Sequence, residues 1–243
     1  MRIAILSDIH GNRTAFEAVL NDLRAASPDL ILHGGDLADF GSRPVEIVDQ
    51  IRDFGWPGVL GNTDEMHVRP ESLDDFAACS TAPASIWDAI REMREVVSER
   101  LGMERIAWLA ALPGVHVIEN MALVHASPES LWQAPPREAT DSEMQSAYGC
   151  LEREIVVYGH IHQPFVRRLT GLNLNKVIVN SGSVGLSYDG DPRAAYLLLN
   201  DFRPEIRRVE YSLDKELRAV AQSGIPHADW IARTLNAAAP QML

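Results

Sequence analysis

Five short apolar runs in this 243-residue chain each end in a cluster of carboxylate, amide or imidazole side chains, and that recurrence constrains the fold more than any other feature. The clusters are Asp8-Ile9-His10, His33-Gly34-Gly35-Asp36, Gly61-Asn62-Thr63-Asp64, Val124-His125-Ala126-Ser127 and Gly159-His160-Ile161-His162. Each closes a run of strand character: Arg2 to Ser7, Leu30 to Leu32, Gly58 to Leu60, Met121 to Val124 and Ile155 to Tyr158. Polar groups at strand ends emerge together at one sheet edge, which is where α/β sheets bind ligands. Taken alone, His10 or His33 reads as a loop or hydrogen-bonded histidine, and Gly-Gly-Asp as a turn. Five clusters in register with five strand ends read as one site.

The candidate ligands are Asp8, His10, Asp36, Asn62, His125, His160 and His162. They offer carboxylate oxygen, amide oxygen and imidazole nitrogen, a mixture that suits Mn, Fe, Zn, Ni or Co. A wholly carboxylate set would point to Mg or Ca, and thiolates to structural Zn or Fe–S. Seven ligands exceed the needs of one ion. With one carboxylate shared they suit two divalent or trivalent ions, Mn or Fe foremost, each keeping positions open for water and substrate.

In order and type these clusters resemble the calcineurin-like metallophosphoesterase superfamily, whose motifs D-x-H, G-D, G-N-H-[DE], H and G-H-x-H run here from Asp8 to His162. The later Asn180-Ser181-Gly182-Ser183-Val184-Gly185 and Asp189-Gly190-Asp191-Pro192-Arg193-Ala194 resemble the tail of its small bacterial and archaeal phosphodiesterase-like branch, so the likeness spans roughly residues 1 to 210. The resemblance implies an α/β fold, a four-layer α/β/β/α sandwich of two mixed sheets with a helical insertion. It also implies a metal-dependent phosphoric ester hydrolase. Asp8, His10, Asp36 and His162 would bind metal one, and Asp36, Asn62, His125 and His160 metal two, with Asp36 bridging. Hydroxide activated by the metals would attack phosphorus in line. Asp36, Asn62, Asp64 and His67 are the candidate catalytic residues.

Two departures bear on substrate. The family's third motif carries a His after the Asn, a group associated with leaving-group protonation, and here that position is Thr63. Threonine is no general acid near neutrality, and a positioned acid typically contributes ~10²–10⁴-fold. Phosphodiesters or phosphoanhydrides of nucleotide type, whose leaving groups need little proton assistance, are therefore the expected substrates. A phosphomonoesterase or protein phosphatase would need a replacement acid. Asp64, the carboxylate that would orient the missing His, remains. His67, read as an exposed loop residue, reaches the site only if its loop folds back. In the tail, Ser181 stands where the branch has Pro, and Leu186-Ser187-Tyr188 where it has Gln-Pro-Arg; Arg193 persists. A noncatalytic interaction module on this fold, as one retromer subunit is, has no need of seven metal-binding side chains.

A hydrophobic content of 46% over this length fits one domain, residues 1–243, with a helical cap insertion at about 66–104. Within that stretch Trp87, Ile90, Met93, Val96 and Val97 recur at helical spacing, a stripe that reads as core. Helices are also expected at Asn12 to Ala25, Pro44 to Phe54, Ile106 to Leu112 and Asp141 to Cys150, with at least one in 213–238. Further short strands are expected between Val115 and Val209. The formal net charge of -12 and the absence of a Lys/Arg cluster argue against a stable nucleic-acid partner or an acidic membrane. The expected partner is a small phosphorylated substrate, with oligomeric state undetermined. Cys79 and Cys150 lack any CxxC partner, and no apolar run approaches the ~20 residues of a membrane span. With strand character beginning at residue 2 or 3, the expectation is a cytoplasmic protein.

Overall fold

A computed structural model describes residues 1–169 and 176–243. In chain order the elements are β1 (Arg2–Leu6), α1 (Arg13–Ala26), β2 (Leu30–His33), α2 (Pro44–Phe54), α3 (Asn62–Val68), α4 (Glu71–Cys79) and α5 (Ala84–Ala110). There follow β3 (Val115–Ile118), β4 (Met121–Val124), α6 (Asp141–Tyr148), β5 (Ile155–Tyr158), β6 (Phe165–Arg168), β7 (Val177–Asn180), β8 (Ala194–Asn200), β9 (Arg203–Val209), α7 (Leu213–Gln222) and α8 (Ala228–Ala237).

The strands form two mixed sheets, ordered β2-β1-β8-β9 and β3-β4-β5-β7-β6. β1 pairs parallel with β2 and antiparallel with β8, while β5 lies parallel between β4 and β7. Strand periodicity of two divides the side chains between faces. On β1, Ile3 and Ile5 point to the inner face, where they meet Leu32, Leu197 and Leu199 and, from the second sheet, Met121, Leu123, Val157 and Val179. Ala4 and Leu6 face the other way, against Phe16 and Val19 of α1, Ile47 and Ile51 of α2, and Met93 and Val97 of α5. The outer face of the second sheet packs Val156, Tyr158 and Ile178 against Met144 and Tyr148 of α6. Three apolar interfaces separate four layers, so the expected α/β/β/α sandwich is the fold.

Local chemistry sets the element ends. Asn12 caps α1 by accepting the Ala15 N–H at 2.9 Å, and its amide also donates to the Gly185 carbonyl at 2.9 Å. Pro44 opens α2, and Gly55 closes it at φ 63°. A capping box joins Thr140 and Glu143 at the start of α6.

Two expectations change. Gly58 to Leu60 makes one bridge, from His33 to Gly58, instead of a third strand. Pro57 has no N–H to extend a ladder, and the Leu60 N–H is taken by the Pro113 carbonyl at 3.0 Å. The helix expected at 106–112 is the last part of α5, which runs from Ala84 and is broken at Gly102 (φ 67°, ψ 168°). As expected, the region after β9 is helical: it holds α7 and α8, packed on each other. Among the described residues no helix is long and apolar enough to cross a membrane.

Candidate metal centre

Asp8 and His10 follow β1, Asp36 follows β2, His125 ends β4, and His160 and His162 follow β5. The convergence therefore comes from the carboxyl ends of parallel strands in both sheets, with Asn62 supplied by the first residue of α3, where one sheet edge was expected. Asp8, His10, Asp36, His160 and His162 all adopt left-handed backbone, with φ between 49° and 63°. Such a conformation costs a non-glycine residue about 1–3 kcal/mol and concentrates at functional sites. Asp and His are among the residues that tolerate it best. Close approach adds a second restriction. A Cβ at Gly61 would collide with Asp36, and one at Gly159 with Ser7 and Asp8.

Ligand atoms of Asp8, His10, Asp36 and His162 all lie within 4.8 Å of one another. His162 Nε2 is 3.2 Å from Asp8 Oδ1 and 3.2 Å from His10 Nε2. Beside this group, Asn62 Oδ1 sits 2.8 Å from His125 Nε2 and 2.9 Å from His160 Nδ1. Asp36 faces both groups. Its Oδ2 is 3.6 Å from His10 Nε2, and its Oδ1 is 3.5 Å from His125 Nε2. All seven side chains named from sequence are thus brought together.

Backbone contacts orient them. His125 Nδ1 pairs with the Gly34 carbonyl at 2.8 Å and His162 Nδ1 with the Leu186 carbonyl at 2.5 Å; with those nitrogens protonated as donors, each Nε2 lone pair faces the centre. Asp8 accepts the His160 N–H at 3.1 Å, and Asp36 Oδ1 accepts the Thr63 N–H at 2.9 Å. The tail motif is joined to the first cluster through Ser183 Oγ, which donates to the Asp8 carbonyl at 2.7 Å, and through the Gly185 N–H at 3.0 Å. Ser181 donates its own N–H to the Tyr158 carbonyl at 3.0 Å, a bond that proline at this position could not make.

The protonation balance suits a bound cation. Burial, with Asp8 and Asp64 close by, pushes the Asp36 carboxyl up to about 7 although His125 pulls it down. Burial and neighbouring imidazoles push His10 and His160 down to about 3. Burial also opposes ionisation of Asp8, yet His162, His125 and His10 hold its carboxyl below the usual range. For His125, burial is outweighed by Asp36 and Asp8, which raise it. Oxygen and nitrogen lone pairs face one another in a dry centre, an arrangement that a divalent ion relieves by accepting them. The residues present fit such ions.

Two candidate catalytic residues lie elsewhere. Asp64 is fully buried and accepts the Leu37 N–H at 3.0 Å and the Ala38 N–H at 3.3 Å, bracing the loop that carries Asp36. His67 is buried on α3, where an exposed loop was expected; its Nε2 is 2.5 Å from Asp39 Oδ2 and its Nδ1 2.7 Å from Ser98 Oγ on α5. Burial opposes its charge, but Asp39 outweighs this and raises it. With both ring nitrogens engaged, His67 is turned away from the cleft. Asp39, the partner that holds it, lies on a loop 28 positions away and leaves no local sign in the sequence.

Residues 1–201 match the calcineurin-like phosphoesterase superfamily domain. The chain belongs to that superfamily. It is a superfamily of metal-dependent phosphoester hydrolases. An uncharacterized protein of Methanocaldococcus jannaschii is 31% identical over 253 residues, covering 96% of each chain. A metallophosphoesterase from Sphaerobacter thermophilus superposes with a TM-score of 0.79 at 26% identity, over 98% of this chain and 99% of the other. The symmetrical bis(5′-nucleosyl)-tetraphosphatase of Methylococcus capsulatus is 28% identical over 149 residues, which is 60% of this chain and 50% of that protein.

The superfamily centre opens here into a cleft of about 210 Å³. Thr63 reaches it with a buried Oγ1 that has no partner among the described residues. Sequence reasoning missed the rest of the lining, notably Phe76, Trp132 and Tyr188. Tyr188, in the segment that departs from the branch pattern, stacks on His162 with centroids 4.3 Å apart. Arg193 does not line the cleft; it forms an exposed pair with Asp191 at 2.7 Å. Of the helical stripe, Met93 and Val97 are core as expected, whereas Trp87 and Ile90 line the cleft.

Proposed function

We propose that this protein hydrolyses small phosphodiesters or phosphoanhydrides of nucleotide type, using two metal ions. The observation that carries the reading is the composition of the cleft at Thr63. The side chain that replaces the usual histidine cannot protonate a leaving group, and His67, the nearest alternative in sequence, is held by Asp39 and Ser98. Leaving groups that depart as stable anions are the ones such a site serves. The tetraphosphatase similarity supports an anhydride, and the absence of Lys or Arg from the cleft lining, among the described residues, supports a small substrate over a nucleic-acid chain.

In this reading Asp8, His10, Asp36 and His162 hold one ion and Asp36, Asn62, His125 and His160 the other. Bound there, the ions supply water activation and Lewis-acid polarisation of the phosphoryl group. The chain supplies orientation. Asp36 turns one oxygen toward each set, and the Thr63 N–H keeps the carboxylate in that attitude. The Gly34 and Leu186 carbonyls hold the imidazoles of His125 and His162 in the tautomer that presents Nε2 inward. Apolar walls beside the centre lower the local polarity, which strengthens charge interactions inside.

The test is hydrolysis by manganese-loaded and iron-loaded protein of matched diesters, anhydrides and alkyl monoesters. Turnover should fall steeply as the leaving group becomes more basic. Equal rates on alkyl monoesters and anhydrides would overturn the preference.

A further inference from the structure

The half of the cleft away from the candidate ligands is aromatic. Phe76 of α4 meets Trp132, on the loop after His125, with centroids 5.0 Å apart and planes inclined by 31°. Trp87 of α5 stands edge-on to Phe76 at 5.6 Å and 82°. Across the cleft lie Tyr188, stacked on His162, and Phe40, edge-on to His10 at 5.6 Å. These rings are half-buried, unlike the core side chains of the same helices, and they share one cavity with the metal-centre residues.

Two polar details separate this wall from ordinary packing. Trp132 is fixed, its Nε1 donating to Glu65 Oε2 at 2.6 Å. Trp87 is not: its Nε1 is shielded from solvent and has no acceptor among the described residues. An indole N–H left without a partner in a dry site is costly, and a ligand that supplies an acceptor removes that cost. Charge narrows the ligand further. Among the described residues the lining holds no Lys or Arg, so beyond the metal centre nothing neutralises a run of phosphates, and the part of the substrate that enters the aromatic wall is uncharged. A cleft of about 210 Å³ is also smaller than the ~300–1,000 Å³ typical of drug-sized ligands, which suits one ring system beside one phosphoryl group.

Building on the phosphoesterase reading above, we infer that Phe76, Trp87 and Trp132 form a subsite for a planar ring carrying a hydrogen-bond acceptor, of the nucleobase type, joined to the phosphoryl group held at the metal centre. The ring stacks on the Phe76–Trp132 face and accepts from Trp87 Nε1. α4 and α5 thereby select the substrate, while the strand-end loops perform the chemistry.

Calorimetric titration of manganese-loaded protein with methyl phosphate, phenyl phosphate and adenosine monophosphate tests this directly. Base stacking on aromatic side chains predicts that adenosine monophosphate binds at least about tenfold more tightly than methyl phosphate, with phenyl phosphate between them. Trp132→Ala and Phe76→Ala should bring that ratio toward one, and Trp132→Phe, which keeps a ring in place, should retain most of it. Trp87→Phe should remove the advantage of adenosine monophosphate over phenyl phosphate. Equal affinity for all three ligands overturns the subsite, and equal affinity for the phenyl and adenosine compounds overturns its nucleobase character. Variants that weaken all three ligands alike assign the aromatic cluster to folding only. Turnover of bis(p-nitrophenyl) phosphate by the same preparations separates the two readings. Hydrolysis without ring preference leaves the phosphoesterase standing and removes the subsite, whereas ring preference without hydrolysis of any ester or anhydride does the reverse.

Discussion

On the floor of the cleft, most of the candidate ligands are buried, several are bonded to backbone groups, and five sit on left-handed backbone; on the wall above, Phe76, Trp87 and Trp132 are half-buried on helices and a loop, with one side-chain hydrogen bond, from Trp132 to Glu65, among them. The floor resists change because the positions of several candidate ligands are set by more than one contact at once. Asp36, for example, is held by the Thr63 N–H, backed by the Asp64-braced loop and crowded by Gly61. The wall depends on shape and stacking, which neighbouring side chains of similar volume can replace. A rigid floor with a replaceable wall lets one centre serve different substrates.

Substitution on the floor should have the largest effect. Asp36→Asn removes the charge that both ligand sets share, and should lower bound metal and reduce hydrolysis by more than ~100-fold, beyond the 10–100-fold typical of residues that only orient ligands. Elemental analysis beside turnover checks this; full metal content with retained activity would remove Asp36 from the bridging position.

Next in size is the buried pair that ties α3 to the Asp36 loop and α5. Removing one partner in His67→Leu leaves Asp39 buried and unpaired, and should destabilise the fold by about 3–5 kcal/mol in urea unfolding. The pH dependence has a definite sign. The folded-state pKa of His67 is raised, so its contribution is fully present below the unfolded value of ~6.5 and is lost as pH rises through the folded value. His67→Leu should flatten the decline in stability above pH ~6.5, and an unchanged slope would show that His67 does not carry that charge.

Asp64→Ala deprives the Leu37 and Ala38 amides of their acceptor and should weaken metal binding by roughly 10–100-fold while sparing much of the fold. Asp64→Asn, which can still accept, should recover most of that loss. Effects confined to stability would place Asp64 outside the site.

The smallest change expected is a gain. Thr63→His restores an imidazole at the cleft, but Asp64 is fully buried and already braces the Leu37 and Ala38 amides, so the shell around the new ring is not built to orient it. Turnover of alkyl phosphates should therefore rise by less than about tenfold, well short of the full general-acid factor. A rise of 100-fold or more would show that the floor still accommodates a positioned acid.

How much of this was legible beforehand follows from the range of the forces involved. The strand-end clusters stood out because ligand chemistry demands particular atoms, and a strand must stop where a polar loop begins; Asp8, His10, Asp36, Asn62, His125, His160 and His162 were all named from those two facts. Gly58 to Leu60 misled because an apolar triplet looks the same whether its N–H groups meet a strand or, as with Leu60, the Pro113 carbonyl far along the chain. Trp87 was assigned to core because helical spacing identifies a face without saying what covers it.

The sequence by itself singled out the candidate ligand set, the layered α/β fold and the Thr63 departure from the superfamily motif, since residue type and local periodicity are written directly in the chain. Only the tertiary structure decided that His67 belongs to Asp39, that Asp64 braces a loop, and that rings from α4, α5 and the loop after β4 share a cleft with Tyr188. Those outcomes depend on contacts between residues distant in sequence, such as Phe76 with Trp132 and His67 with Asp39, where burial and hydrogen-bond partners are fixed by how the layers pack and leave no periodic trace in the sequence.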